Sequence, residues 1–72
     1  MFEKVKEILA MYTGEEITEN STLNADLGLT SFDLISLLIN FEDEFDIEIN
    51  DKDVKKLVKV SDILHYIESK QG

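Results

Sequence analysis

Hydrophobic residues near the beginning of the chain recur every three or four positions, with charged residues between them. This spacing places them along one side of an α-helix. The sequence therefore predicts an amphipathic first helix of about three turns, and Gly14 is its expected end because glycine commonly terminates helices. The hydrophobic side of this helix consists of Phe2, Val5, Ile8, Leu9 and Tyr12.

The helical pattern is lost between Glu15 and Thr30, where turn-forming residues dominate. A loop of this length is uncommon in a small domain, and such loops are often functional or contain a short helical turn. We expect a long loop that is held to the core by a few isolated hydrophobic side chains. These are Ile17, Leu23, Leu27 and Leu29.

The clearest helix prediction covers residues 30 to 45. Thr30 precedes a run rich in hydrophobic residues and is followed three positions later by Asp33, a pattern typical of a capped helix start. At about 100° per residue, one arc of this helix carries the large side chains that should pack in the core. That arc consists of Leu34, Leu37, Leu38, Phe41 and Phe45.

The same helix has a second hydrophobic face. Phe32, Ile35 and Ile39 lie opposite the core arc, among acidic and polar residues. A small bundle has nothing left to cover them, so we expect them to be exposed and to contact partners. The alternative is that they are buried by a wider core, or exposed without any function.

Beyond this helix the hydrophobic pattern becomes short and irregular. Ile47 and Ile49 alternate with polar residues, as in a strand, but a single strand would have no partner. We therefore expect an extended connector at this point. Residues 51 to 58 are expected to form a short third helix with Val54, Leu57 and Val58 directed inward.

A last helix is expected to begin at Ser61, which should cap it. Its hydrophobic residues recur at helical spacing, and they are Ile63, Leu64, Tyr66 and Ile67. The predicted fold is therefore all-α. It is a small four-helix bundle of three longer helices and one short third helix, with a long loop between helices 1 and 2.

Composition narrows the class of protein. The chain has 72 residues, 43% of them hydrophobic, and no Cys. It has enough hydrophobic residues to fold, but it can form neither disulfides nor thiolate metal sites. Its start resembles neither a signal peptide nor a membrane span. We expect one free-standing, monomeric, cytoplasmic domain over residues 1 to 72.

Charge is distributed unevenly. Seven basic residues, all of them Lys, face 16 acidic residues, which gives a net charge of −9 that repels nucleic acid and anionic membranes. From Glu7 to Asp51 there are twelve acids and no Lys, whereas the stretch from Lys52 to Lys59 has four Lys and one acid. The acidic middle of the chain either aids solubility or docks basic partners.

The sequence predicts no catalytic residue and no metal site. His65 is the only histidine, and neither a phosphate-binding glycine loop nor a metal-helix motif occurs. The acidic stretch after residue 41 has the composition of a calcium loop. However, no alignment of this stretch with such a loop places glycine at the sixth position and glutamate at the twelfth, as calcium loops require. Glu42 and Asp43 are expected to be solvated, not to act in acid–base chemistry.

Ser31 is the remaining candidate residue. It is predicted to lie in the first turn of the second helix, where backbone N–H groups and the helix dipole favour an attached phosphate. The exposed hydrophobic face begins beside it, at Phe32. As an isolated residue, however, it is an ordinary helix-start serine, and such a residue more often has a purely structural role.

Two segments carry a family resemblance: residues 26 to 33, DLGLTSFD, and residues 42 to 49, EDEFDIEI. The chain resembles an acyl carrier protein over nearly its whole length. The resemblance implies a carrier that is not an enzyme. It implies that a phosphopantetheinyl transferase attaches 4′-phosphopantetheine to Ser31, and that the thiol of this cofactor holds acyl or aminoacyl groups as thioesters.

The resemblance also implies a partner surface on the second helix. Family members present this helix to acyl-transferring and condensing enzymes that have basic docking patches, in fatty-acid, polyketide or specialised pathways. The matching residues here are Phe32, Ile35, Ser36, Ile39, Glu42 and Asp43. The alternative function is an unmodified acidic helical module that docks one basic partner.

The chain departs from the family pattern at several positions. The usual Asp-Ser-Leu is Thr30-Ser31-Phe32, and Ser36 replaces a common acid. The third helix is unusually basic, and Asn50 stands where Pro is common. These departures favour a specialised carrier over the principal carrier of fatty-acid synthesis.

Overall fold

Four α-helices make up the regular structure of residues 1–71, the part of the chain that the computed structural model describes. In chain order they are α1 (Phe2–Leu9), α2 (Ser31–Phe45), α3 (Asp51–Val54) and α4 (Val60–Gln71). No strand forms among these residues, and the predicted all-α fold with a short third helix is confirmed. Within the same residues, no helix combines the length and the apolar character that crossing a membrane would need.

Helix α1 is shorter than the sequence predicted. It ends at Leu9, well before Gly14, because the next turn tightens: the N–H of Tyr12 donates to the carbonyl of Leu9, three residues back, at 2.9 Å. Tyr12 still packs against the core, and its hydroxyl accepts a hydrogen bond from the side-chain amide of Asn40 on α2. The expected end at Gly14 was therefore wrong, whereas the expected hydrophobic side was right.

The long loop between α1 and α2 is held to the core as expected. Its backbone pairs with the segment before α4: the N–H of Leu23 donates to the carbonyl of Val58 at 2.9 Å, and the N–H of Val60 donates to the carbonyl of Ser21 at 3.0 Å. All four predicted anchors are buried, and they are Ile17, Leu23, Leu27 and Leu29.

A hydrogen-bonded turn ends this loop and leads into α2. The N–H of Thr22 donates to Oδ2 of Asp26 at 2.9 Å, and the N–H of Asp26 donates to Oγ1 of Thr22 at 3.0 Å. Gly28 follows with φ of +69°, a backbone conformation that residues with a Cβ rarely adopt. The backbone changes direction at this turn and then continues into α2.

One face of helix α2 is buried in the core along the length of the helix. Leu37, Leu38 and Phe41 are buried, and Leu34 and Phe45 are half-buried against the same core. The predicted core arc is therefore confirmed. Burial of such side chains contributes roughly 1.5–3 kcal/mol each relative to leaving them exposed, which makes α2 the central element of a small fold.

Helix α3 ends earlier than predicted. It stops at Val54, and Val58 is 54% exposed instead of pointing inward. The reason is non-local: the carbonyl of Val58 accepts from Leu23 and its N–H donates to Asp62. These two hydrogen bonds use the N–H and the carbonyl of Val58, so neither group is left to extend α3 by another turn. Leu57 is buried as expected.

The start of α4 also differs from the prediction. The helix begins at Val60, so Ser61 lies inside its first turn and does not cap it. The first N–H groups of α4 are satisfied by the long loop, since Val60 donates to the carbonyl of Ser21 at 3.0 Å and Ser61 donates to that of Glu19 at 2.9 Å. The carboxylate of Asp62 caps the residues just before the helix, as in half of a capping box: Oδ2 accepts from the N–H of Val58 at 3.0 Å and from the N–H of Lys59 at 2.9 Å. The bond from Lys59 is the main cause that lowers the pKa of Asp62 below its ordinary value.

Replacing this carboxylate should weaken α4 in a pH-dependent way. We expect Asp62→Ala to lower the free energy of unfolding by about 1 kcal/mol at neutral pH, as for other helix caps. Because the pKa of Asp62 is lower in the folded state, its contribution is present above the ordinary value of 3.8 and is lost as the pH falls through the folded value. Urea unfolding of both proteins between pH 7 and pH 2 measures the difference.

Asp43→Ala is the matched control for Asp62→Ala, since it removes one exposed carboxylate from the same acidic protein. Both changes relieve the self-repulsion of the chain by one charge. If the two variants unfold at the same urea concentration at every pH, the capping role of Asp62 is wrong.

Candidate functional site

Ser31 is the first residue of α2, and its side chain is exposed. The helix start is fixed by a capping box: Oγ1 of Thr30 accepts from the N–H of Asp33, and Oδ2 of Asp33 accepts from the N–H of Thr30, both at 3.1 Å. This confirms the predicted cap. Thr30 therefore caps the helix although its own side chain is not acidic. Ser31 follows it at the solvent-exposed end of the helix.

Two hydrogen-bond donors lie free beside the Ser31 hydroxyl. The N–H groups of Ser31 and Phe32 have no acceptor among residues 1–71, since the cap uses only the N–H of Asp33. The positive end of the helix dipole adds to these donors. The Ser31 side chain itself makes no hydrogen bond within the described residues. A phosphate ester at this oxygen would meet open space and two backbone donors, so the residues present fit that group.

The hydrophobic face opposite the core is exposed, as predicted. Phe32, Ile35 and Ile39 are 80%, 61% and 57% exposed, and their spacing places them on one side of α2. We call these three residues the α2 stripe. The stripe begins directly after Ser31, so a protein that reaches the Ser31 hydroxyl also meets the stripe.

The three polar residues predicted for the partner surface differ in how far they are exposed to solvent. Asp43 is exposed, whereas Ser36 and Glu42 are half-buried. Oε2 of Glu42 accepts from the N–H of Ile49 at 2.8 Å, which ties the connector after α2 back onto the helix. Glu42 is therefore partly a structural residue. This contact has no local signal along the chain, because it depends on where the connector turns back.

A groove runs along the α2 stripe on the side of α3. It has a volume of about 220 Å³ and opens to solvent. The α2 stripe forms one wall through Ile35 and Ile39, and α3 contributes Asp51 and Val54 to the other. We call it the α2–α3 groove. It was missed by sequence reasoning because it exists only once α3 is placed beside α2.

A second groove, of about 430 Å³, lies on the other side of Val54. Leu34, one helical turn after Ser31, lines it together with Val54 and Lys55. Residues of the turn before α2, such as Leu23, form its far wall. Val54 thus separates two grooves, and both border the part of α2 that follows Ser31.

Helix α3 has no fully buried residue, and besides the packing of Val54 against the core it is held to α4 by a polar contact. The hydroxyl of Tyr66 donates to Oδ2 of Asp53 at 2.8 Å and accepts from the N–H of Asn50 at 3.4 Å. The hydrogen bond from Tyr66 is the largest cause that lowers the pKa of Asp53, and the nearby charge of Lys56 acts in the same direction. Tyr66 thereby holds α3 against α4.

The other residues considered for catalysis or metal binding do not come together in one site. His65 is exposed on α4, and within residues 1–71 no three His, Cys, Asp or Glu side chains are grouped so that they could hold a metal ion. The acidic stretch that has calcium-loop composition is divided between the end of α2, the connector and α3.

Comparison with known proteins gives one consistent result. Residues 3–67 match the family model described as "Phosphopantetheine attachment site". The chain is 41% identical over 75 residues to the acyl carrier protein of Thermotoga maritima, with 100% of this chain and 93% of that protein covered. It is 40% identical over 72 residues to the acyl carrier proteins of Clostridium acetobutylicum and Nitratidesulfovibrio vulgaris, with 96% of this chain and 94% and 95% of those proteins covered.

Proposed function

We propose, since this chain belongs to the acyl carrier proteins of the phosphopantetheine attachment family, that Ser31 is the residue that bears its 4′-phosphopantetheine. The observation that carries the proposal is the exposed hydroxyl at the start of α2 with two free backbone N–H groups beside it. Among the serines of the chain, Ser21 is buried and hydrogen-bonded to Thr18, so it offers no comparable site.

The proposed attachment step transfers the phosphopantetheine part of coenzyme A to Ser31. The oxygen Oγ of Ser31 forms a bond to the phosphorus of coenzyme A that bears pantetheine, and the bond from that phosphorus to the bridging oxygen of the diphosphate breaks. Adenosine 3′,5′-bisphosphate leaves, and the hydroxyl proton passes to a base that the transferase supplies. The free N–H groups of Ser31 and Phe32 favour the negative charge of the resulting phosphodiester.

The bound group supplies the thiol that holds acyl or aminoacyl groups as thioesters. The chain contains no Cys, so it has no thiol of its own for this purpose. The residues of the chain fix the attachment point at a rigid helix end and keep it in solvent. The protein acts as a carrier, and the chemistry of transfer and condensation belongs to its partner enzymes.

The attachment is tested by intact mass. After incubation with coenzyme A and a broad-specificity phosphopantetheinyl transferase, the purified chain is expected to gain the mass of one phosphopantetheine group. The alternative function, an unmodified acidic module that docks a basic partner, predicts no gain. The mass of the protein isolated from its own host gives an independent reading.

We further propose that the α2 stripe contacts the partner enzymes, together with Ser36, Glu42 and Asp43. The exposed apolar area supplies the contact, and the acidic end of the helix attracts basic docking patches from a distance. A carrier that visits several enzymes needs fast and weak contacts, which such a surface provides. The pathway it serves, its monomeric state and its cytoplasmic location stay predictions.

A charge introduced into the α2 stripe should slow loading without unfolding the protein. Burying an Ile side chain contributes about 1.5–3 kcal/mol, so Ile35→Asp is expected to lower kcat/KM of the transferase by about tenfold or more. Mass spectrometry over time measures the rate. Met11→Asp is the matched control, because Met11 is 71% exposed and lies outside the stripe. Equal rates for the two variants would exclude the stripe from the contact.

A further inference from the structure

The segment from Lys52 to Lys59 is basic within an acidic protein, although α3 itself also carries Asp51 and Asp53. Four of the seven lysines fall between residues 52 and 59, and all four are exposed. Lys56 pairs with Asp53, with Nζ and Oδ1 at 3.5 Å. Lys52, Lys55 and Lys59 form no ion pair with any residue from 1 to 71. Three positive charges thus remain available on this side of the molecule.

The neighbouring helix has the opposite charge. The end of α2 carries three consecutive acids, Glu42, Asp43 and Glu44, and α2 contains no Lys. Within the described part of the chain, no lysine of the region from 52 to 59 pairs with these acids. The molecule therefore presents two adjacent regions of opposite sign, and neither neutralises the other.

The two regions belong to one continuous surface around Ser31. The α2–α3 groove joins the α2 stripe to α3 through Val54, and the second groove joins Leu34 to Lys55. Leu34 lies one helical turn from Ser31. An enzyme that covers the Ser31 hydroxyl and the α2 stripe therefore lies close to α3 as well. Lys55 lines the second groove, and Lys52 lies on α3 between Asp51 and Val54, which line parts of the α2–α3 groove.

We propose that Lys52 and Lys55 contact an acidic patch on the phosphopantetheinyl transferase that modifies Ser31. This inference rests on the proposed function and specifies the chemistry of that partner. The docking face of the transferase would carry basic residues opposite Glu42 and Asp43 and acidic residues opposite α3. A uniformly basic docking face would be repelled by the lysines, so the pattern also selects against other transferases.

A second copy of the chain is a weaker occupant for this surface. The acidic end of α2 in one molecule is complementary to the lysines of another, but each copy carries a net charge of −9. The overall repulsion between two such molecules opposes a contact made through a few exposed ion pairs. A partner enzyme with its own mixed charges meets no such penalty.

The test measures loading by the transferase of the host from which the chain comes. Lys52→Glu and Lys55→Glu are each expected to lower kcat/KM by about threefold at low ionic strength, as for the loss of an exposed ion pair. The loss should fade at high salt, because screening removes exposed charge pairs first. Lys6→Glu is the matched control, since Lys6 is exposed on α1 and the change in net charge is the same. Thermal unfolding by circular dichroism shows whether each variant stays folded.

The outcomes separate the two levels of the proposal. Failure of the wild-type chain to gain phosphopantetheine would overturn the proposed function itself. Normal loading of the wild type, with Lys52→Glu and Lys55→Glu as fast as Lys6→Glu or faster, would overturn only the acidic contact. A dimer of the unmodified carrier in sedimentation that Lys55→Glu dissociates would also overturn it, because the lysines would then face a second copy.

Discussion

Ser31→Ala is expected to abolish attachment of phosphopantetheine completely while leaving the protein folded. The reason is that the variant lacks the oxygen that must bond to phosphorus, and no neighbouring residue of the first turn offers another exposed hydroxyl except Thr30, whose Oγ1 is used by the cap. The Ser31 side chain is exposed and makes no hydrogen bond within residues 1–71. Its removal should therefore change the free energy of unfolding by less than about 0.5 kcal/mol.

The measurement pairs intact mass with urea unfolding. Wild type should gain the mass of one phosphopantetheine group, and Ser31→Ala should gain none after prolonged incubation. Ser69→Ala is the control, because Ser69 is exposed on α4 and far along the chain from α2. A mass gain in Ser31→Ala, or a loss of loading in Ser69→Ala, would show that the attachment residue has been misassigned.

Phe41→Ala is expected to have the largest effect on stability. Phe41 is fully buried in the centre of α2 and stacks near Phe45, with ring centroids 6.1 Å apart. Truncating such a residue costs about 3–5 kcal/mol, because it removes apolar burial and leaves a cavity. At about 0.05–0.15 kcal/mol per residue, a chain of this length has a total stability of only about 4–11 kcal/mol. The variant should therefore lose a large part of its stability and unfold at a much lower urea concentration than wild type.

Circular dichroism during urea unfolding gives the magnitude. Ile39→Ala is the matched control, because Ile39 lies on the same helix but is 57% exposed on the α2 stripe. It should change the free energy of unfolding by less than about 1 kcal/mol. Similar losses in the two variants would mean that the two faces of α2 are not energetically distinct, which would contradict the division of this helix into a core face and an exposed face.

The two faces of α2 have different roles in the molecule. The core arc of α2 uses the hydrophobic effect to hold a small fold together without disulfides, since the chain has no Cys. The opposite face leaves hydrophobic side chains largely in water, where they contribute little to folding and remain available for contact. Ser31 stands where the capped start of this helix meets the exposed face.

The helix that bears Ser31 was predictable because its signals are local. The pattern of Thr30 and Asp33 fixed its start, and both hydrogen bonds of the capping box are present. The helical period assigned its two faces, and both assignments agree with the observed burial. Sequence also identified the family through short motifs, which the comparisons support over residues 3–67.

The region from α3 to the start of α4 was predicted less well because non-local contacts decide it. Val58 looked like an inward residue of a longer helix, but its carbonyl binds Leu23 on the distant loop. Asp62, and not Ser61, satisfies the backbone donors before α4. The bond between Val58 and Leu23 leaves no periodic signal in the sequence, since it joins two segments that meet only after folding. The bonds of Asp62 are local, three and four residues along the chain, and Ser61 hid them because serine is the more common capping residue.

The sequence by itself determined the helical class of this protein, the capped start of α2, its two hydrophobic faces and the candidate serine. These features depend on intervals of three or four residues, and helical geometry converts such intervals directly into neighbours in space. Only the tertiary structure decided the bond from Ile49 to Glu42, the anchoring of α3 by Tyr66 and the grooves beside the α2 stripe. Each of these joins segments that are brought together by packing of the core, so their positions follow from the whole fold and not from any local pattern.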